Sequence, residues 1–280
     1  MRFLSFWVQI NSLIMKNKKT FTHSLLDWYK ANRRDLPWRK TTDPYEIWIS
    51  EIMLQQTQVS RVEKDFYAPF LKAFPTVEDL AKATWEDVYP VWKGLGYYVR
   101  GKNVLKAAQK IVKDFGGKLP RDKHKLESLP GIGEYTARAI LAFAWDEQIP
   151  AIDTNLSKII SVLWVGENIE SVGKELVSYA KSGRDWNNAM MDLATALRGG
   201  ENIDAPLHVF FPIITRDLFI PERNARGVSK KKKFRIEVGA ACIYRDGKYL
   251  IQTRPEGKSL LENGNSLAEN ERKEKVSERV

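Results

Sequence analysis

The amino-acid sequence predicts a mainly α-helical domain, and three observations carry that reading. Apolar residues recur at helical spacing through successive short segments between Phe21 and Leu197. The stretch from Leu129 to Leu141 reads as helix, tight Pro-Gly turn, helix. Strict apolar/polar alternation, the strand signal, begins only at Arg235.

Taken in order, Met1 to Ile14 is apolar with only Arg2 charged, and it breaks at Gln9 and Asn11 without a small-residue cleavage site. Met15 would open naturally onto the first helix, so residues 1–20 are read as an extension outside the fold. Phe21, Leu25, Leu26 and Tyr29 give the first amphipathic helix. A loop turned by Pro37 then carries Arg33, Arg34 and Trp38, where the tryptophan could stack on a base or pack in a core. Asp43 and Pro44 are the N-cap and first residue of the next helix, with Ile47, Trp48, Ile52, Met53 and Val59 as its buried stripe. Glu51 sits beside that stripe. A helical glutamate is normally solvated, yet a carboxyl held against apolar walls has its pKa raised, as a general acid needs. Gln55-Gln56-Thr57-Gln58 follows as a neutral hydrogen-bonding run.

Arg61–Ala73, Val77–Ala83 and Trp85–Trp92 read as short helices. Gly94-Leu95-Gly96 breaks the chain before Tyr97 and Tyr98, and a tyrosine ring is a good wedge between base pairs. Arg100–Phe115 is a basic amphipathic helix ended by Gly116-Gly117. In the turn at 129–133, Gly131 and Gly133 leave backbone N–H groups open to an anion at a helix N-terminus. Helices are expected again over Leu156–Val165, Val172–Lys181 and Trp186–Leu197, with irregular chain from Arg198 to Arg216. Lys230 to Lys233 reads as a linker, so the boundaries are 21–225 for the helical domain and 226–234 for the linker. From Ile236 to Tyr244 residues alternate, Arg245-Asp246-Gly247-Lys248 turns, and Tyr249-Leu250-Ile251 follows: a β-hairpin.

Formal net charge is +10 with pI near 9.5, which favours a polyanionic partner. Cys242 is the single cysteine, so the chain can form no internal disulfide and no cysteine-ligated metal site. His23, His124 and His208 make no metal-ligand spacing. No apolar run approaches the ~20 residues that cross a bilayer, and no membrane role is expected. A reducing compartment follows: the bacterial cytoplasm, or the nucleus or an organelle in a eukaryote.

Leu129-Pro130-Gly131-Ile132-Gly133 with Thr136-Ala137 resembles the helix-hairpin-helix of the endonuclease III superfamily of DNA glycosylases. Ile152-Asp153-Thr154-Asn155 falls where that family carries its catalytic aspartate. Leu36-Pro37-Trp38-Arg39, Ser50 to Val59, Gly94 to Tyr98 and Asn188 to Leu193 resemble the adenine-specific MutY branch. The resemblance runs in order from about Phe21 to Leu197. It implies two helical subdomains with Glu51 facing Asp153 across a cleft, acting as a monomer on duplex DNA holding adenine opposite 8-oxoguanine or guanine. Glu51 would protonate the adenine ring of the extruded base, Asp153 would stabilise the sugar cation or its adduct, and Tyr135 and Asn155 would support the sugar end. The resemblance assigns Leu129, Gly131, Gly133 and Thr136 to a DNA phosphate. It assigns Gln55, Gln56, Thr57 and Tyr97 to the opened duplex, and Arg34, Trp38 and Asn188 to the base pocket. Where endonuclease III has a Schiff-base lysine this chain has Tyr135, and a phenol cannot make an imine. The expectation is a monofunctional glycosylase, with Lys158 the lysine to suspect of any lyase activity. An endonuclease III-like glycosylase-lyase on damaged pyrimidines and an inactive DNA-binding scaffold are the alternatives.

The chain departs from the family at the iron–sulfur loop. The four cysteine positions fall at about Arg198, Ala205, His208 and Ile214, so no cluster and no other cofactor are expected. Leu207, Phe210, Phe211 and Ile214 could clamp that loop by apolar packing instead. The hairpin at 235–251, with Arg254-Pro255-Glu256-Gly257, resembles the opening of the family's C-terminal Nudix-like domain, which reads 8-oxoguanine. That domain is longer than residues 235–280, so the expectation is a truncated remnant, mostly disordered after 258. Codons for Gly264 to Arg272, read one base early, can spell Trp-Glu-Phe-Pro-Gly-Gly-Lys-Arg-Glu, a segment of the kind Nudix-like domains carry here. A frameshifted, originally longer chain would keep base excision and discriminate poorly between 8-oxoguanine and guanine.

Overall fold

The computed structural model describes residues 17–199, Leu207, and the backbone of 243–245 and 248–250. The expectations for residues 1–16, the linker at 226–234, Cys242, the positions Ala205, His208 and Ile214, and residues after 250 lie outside it. The chain divides into two compact units, Met1–Arg226 and Gly227–Val280.

Among its described residues the first unit forms helices joined by turns and loops, with no strand. Helix α1 (Lys18–Asn32) starts three residues before Phe21, because the Asn17 side chain accepts from the Thr20 N–H and caps it. Lys18 then pairs with Glu167 and Glu175 at 2.6 and 2.9 Å. Helix α2 (Pro44–Leu54) is capped by Asp43 with Pro44 in its first turn. It ends at Leu54, so Val59 is not part of its stripe but opens the next helical stretch. That stretch passes through a π-helical turn (Val62–Phe66) into α3 (Tyr67–Ala73). Helices α4 (Val77–Lys82) and α5 (Trp85–Trp92) carry threonine N-caps, the second in a full capping box with Asp87. Helix α6 (Tyr98–Phe115) ends at Gly116 in the left-handed region.

A short helix, α7 (Lys123–Glu127), leads through the turn at 128–133 into α8 (Glu134–Trp145). Gly131 has φ +83°, and a Cβ there would press within 3.0 Å of the Asn103 side chain, so the turn requires glycine. Helices α9 (Thr154–Leu163), α10 (Ile169–Ser178) and α11 (Gly183–Gly199) complete the unit.

Two large cores form. One gathers α2 to α8 around Trp48, Phe70, Trp92 and Ile111. The other gathers α9 to α11 with α1, around Phe21, Leu25, Leu156, Leu176 and Trp186, and includes Leu207. A smaller cluster of Ile47, Ala139, Phe143, Ala144 and Ala151 lies where α2 packs on α8. Of the second unit, strands β1 (Ile243–Arg245) and β2 (Lys248–Leu250) are described. They pair antiparallel with Tyr244 opposite Tyr249, the hairpin the alternation predicts.

Candidate active site

Helix α2 is apolar on every face, so it is buried all round rather than along one stripe. Glu51 therefore goes inside with its neighbours and is 6% exposed. Burial pushes its carboxyl up to about 7; the hydroxyl of Tyr135 opposes that shift by hydrogen bonding, the Asp153 charge adds to it, and Arg39 opposes it. Tyr135 stands on the first turn of α8. The residue is half-buried, but its hydroxyl end lies inside the wall, where burial and the two carboxylates hold the phenol well above its usual range. Its bond is to the acid, Glu51, a partner that sequence reasoning did not give it.

Asp153 is the N-cap of α9. Its Oδ1 accepts from the backbone N–H groups of Asn155 and Leu156 at 2.9 and 2.7 Å. Its Oδ2 accepts from the Asn155 side-chain amide at 2.8 Å. The carboxylate thus sits at the positive end of the α9 dipole. The chain reaches it through Asn187, a fully buried side chain of α11. Asn187 accepts from the Ala151 N–H and donates to the carbonyls of Ile149 and Gly183. Both carboxylates line one cavity of about 640 Å³ where the three apolar clusters meet. Arg34, Trp38, Gln55, Gln56, Thr57, Tyr135, Asn155 and Asn188 line it too.

Residues 49–180 match the profile of HhH-GPD superfamily base excision DNA repair proteins. Over that span, a little under half of its length, the chain is similar to that superfamily. An adenine DNA glycosylase of Rattus norvegicus is 37% identical over 196 residues, covering 63% of this chain and 38% of that protein. One from Buchnera aphidicola subsp. Schizaphis graminum is 32% identical over 229 residues, covering 78% and 65%. The chain therefore spans less than two thirds of the length of either relative. The solved structure of a thermostable thymine-DNA glycosylase superposes with TM-score 0.59 at 29% identity, over 64% of this chain and 86% of that one.

Within the matched span the hairpin presents Gly131 and Gly133 at the surface, while the side chains of Leu129 and Thr136 are buried. Gly133 offers no side chain to cap α8, which leaves the helix start to an outside acceptor. Thr136 accepts from Gln55 Nε2 at 3.3 Å and so ties the hairpin to the end of α2. Trp38 is buried edge-on to Tyr67 at 5.4 Å, with Asn188 also buried. Arg34 is held by Asp192, to which it donates through Nε and its backbone N–H.

Several groups that matter here carry no signal of their own in the sequence. Arg39 makes a two-pronged pair with Asp192 at 2.8 and 2.9 Å, and the aspartate side chain is 2% exposed. Arg100 donates to the carbonyls of Ile52, Met53 and Gln55 and to the Thr57 hydroxyl, and its guanidinium lies 5.2 Å from the Tyr97 ring. It joins two loops whose exposed tips, Gln56 and Tyr97, both hold a positive φ (57° and 45°). A non-glycine residue in that region carries backbone strain of about 1–2 kcal/mol, which the Arg100 bonds help to hold. Arg39 stands in the loop turned by Pro37 and Arg100 at the start of a basic helix, and only the folded chain reveals their partners.

Proposed function

We propose that this chain is a MutY-type adenine DNA glycosylase, hydrolysing the N-glycosidic bond of adenine opposite 8-oxoguanine or guanine in duplex DNA. The observation that carries the reading is one cavity holding two unlike carboxyls: Glu51, buried and poised near pH 7, and Asp153, capping a helix. The protonated Glu51 donates to the leaving adenine, and the Asp153 anion stabilises the positive charge that develops on the sugar. Tyr135 keeps Glu51 in place, and Asn155 does the same for Asp153. Trp38 and Asn188 receive the extruded base; Tyr97 and the Gln55 to Thr57 loop occupy the gap it leaves. The start of α8 at Gly131 and Gly133 takes a phosphate. The adenine DNA glycosylases matched above support the choice of base.

With Tyr135 in place of an imine-forming lysine, the enzyme is monofunctional. No iron–sulfur cluster belongs to this reading: the chain has one cysteine, and Arg198, at the first cluster position, instead donates to Asn155. It works as a monomer wherever the genome is: the cytoplasm of a bacterium, or the nucleus or an organelle of a eukaryote. Excess protein mixed with duplexes carrying A opposite 8-oxoguanine, G or T tests the substrate and the monofunctional chemistry. Adenine release from the first two, with strand breaks only after alkali, is expected. Breaks without alkali would favour a glycosylase-lyase, and no release from any duplex would leave a DNA-binding scaffold.

A further inference from the structure

Arg198 stands near the C-terminal end of α11, exposed, on the rim of the same cavity as Asp153. Its Nη2 donates to Asn155 Oδ1 at 2.7 Å, and the Asn155 Nδ2 donates onward to Asp153 Oδ2 at 2.8 Å. A guanidinium has only donors and an ionised carboxylate only acceptors. The amide between them satisfies both in one orientation; flipped, it would set NH₂ against guanidinium and oxygen against oxygen. Arg198 and Asp153 therefore fix which way Asn155 points from its two ends. The consequence falls on one oxygen. Asp153 Oδ1 is fixed by two backbone N–H groups of α9, whereas Oδ2 takes its direction from the Asn155 amide.

We propose that Arg198 is a positioning residue for Asp153, acting through the side-chain amide of Asn155. The role rests on the glycosylase reading above, in which Asp153 faces the sugar. A cation in the last turn of a helix also complements the helix dipole, but that would not require a bond across to α9. Nor does a phosphate contact need one. What sets the proposal apart is that the effect of Arg198 must pass through Asn155.

The test measures single-turnover adenine release, with duplex affinity measured separately on a Glu51→Gln background. Arg198→Met should slow release about tenfold, as expected for loss of one partly exposed charged hydrogen bond, and leave affinity unchanged. Arg198→Lys, which still donates, should recover part of the rate. In an Asn155→Ala chain, adding Arg198→Met should cost nothing further. A full loss persisting in the Asn155→Ala background would overturn the proposal. So would weaker duplex binding with an unchanged rate at saturation, which would make Arg198 a phosphate contact. A readout without turnover separates this from failure of the glycosylase reading. The Asn155 side-chain NH₂ should be protected from hydrogen exchange in the wild-type protein and lose that protection in Arg198→Met; unchanged protection would overturn the proposal whatever the activity.

Discussion

Glu51 and Asp153 share a cavity but are held by opposite means. Helix α2 surrounds Glu51 with apolar side chains and gives it one hydroxyl partner, so its environment penalises charge. Asp153 stands at a helix N-terminus with backbone and amide donors on both oxygens, so its environment is built to meet an anion. The difference suits Glu51 to give up a proton and Asp153 to face a positive charge, the roles proposed above.

The sharpest way to break the comparison is to remove the proton. Glu51→Gln should lower base release by about 10²–10⁴-fold while duplex binding persists, since shape and polarity are kept. A near-wild-type single-turnover rate would remove Glu51 from the chemistry. In the wild-type protein, release should fall as pH rises through about 7, where the acid loses its proton. Asp153→Asn keeps the helix cap and removes the charge. It should cost about 10²–10³-fold, and full turnover would mean that another group meets the cation.

The same asymmetry is visible in stability. The folded pKa of Glu51 lies above its unfolded value of 4.5, so its contribution is fully present below pH 4.5 and is lost as pH rises to about 7. Thermal or urea unfolding should show Glu51→Gln gaining about 3 kcal/mol on the wild type between those pH values. A pH-independent difference would contradict the burial. Asp192→Asn should destabilise by a similar or smaller amount, about 3 kcal/mol, by leaving Arg39 with its partner's charge removed. Gly131→Ala should cost about 1 kcal/mol in the same assay, the penalty of a side chain at φ +83°, and should weaken duplex binding.

Much of this was legible in the sequence, for physical reasons. Asp43-Pro44 and the Pro-Gly turn at 130–131 act locally, through a cap and a backbone conformation, and their helices start where expected. Glu51 shows the limit. Treating α2 as a striped helix makes its glutamate solvated on base rates, yet Tyr45-Glu46-Ile47-Trp48-Ile49 and Ile52-Met53-Leu54 already put apolar groups on all sides. The count of apolar faces, not the period, was the usable signal. The Arg39–Asp192 and Arg198–Asn155 links join residues 153 and 43 positions apart, and no local pattern encodes such pairings.

The place of α1 has a consequence for how the chain assembles. The core built on α2, the helix that carries Glu51, is contiguous, drawn from Leu36 to Leu141. The core behind Asp153 joins Phe21 to Leu197, and the Thr22 hydroxyl bonds the Leu176 carbonyl 154 positions away. Loop closure makes such a long-range union late, whereas local contacts form early. During synthesis the acid's half can therefore take shape while α1 waits on the ribosome's further output. The two carboxyls meet only when α11 has emerged, so a partly made chain holds Glu51 in place before Asp153 can face it.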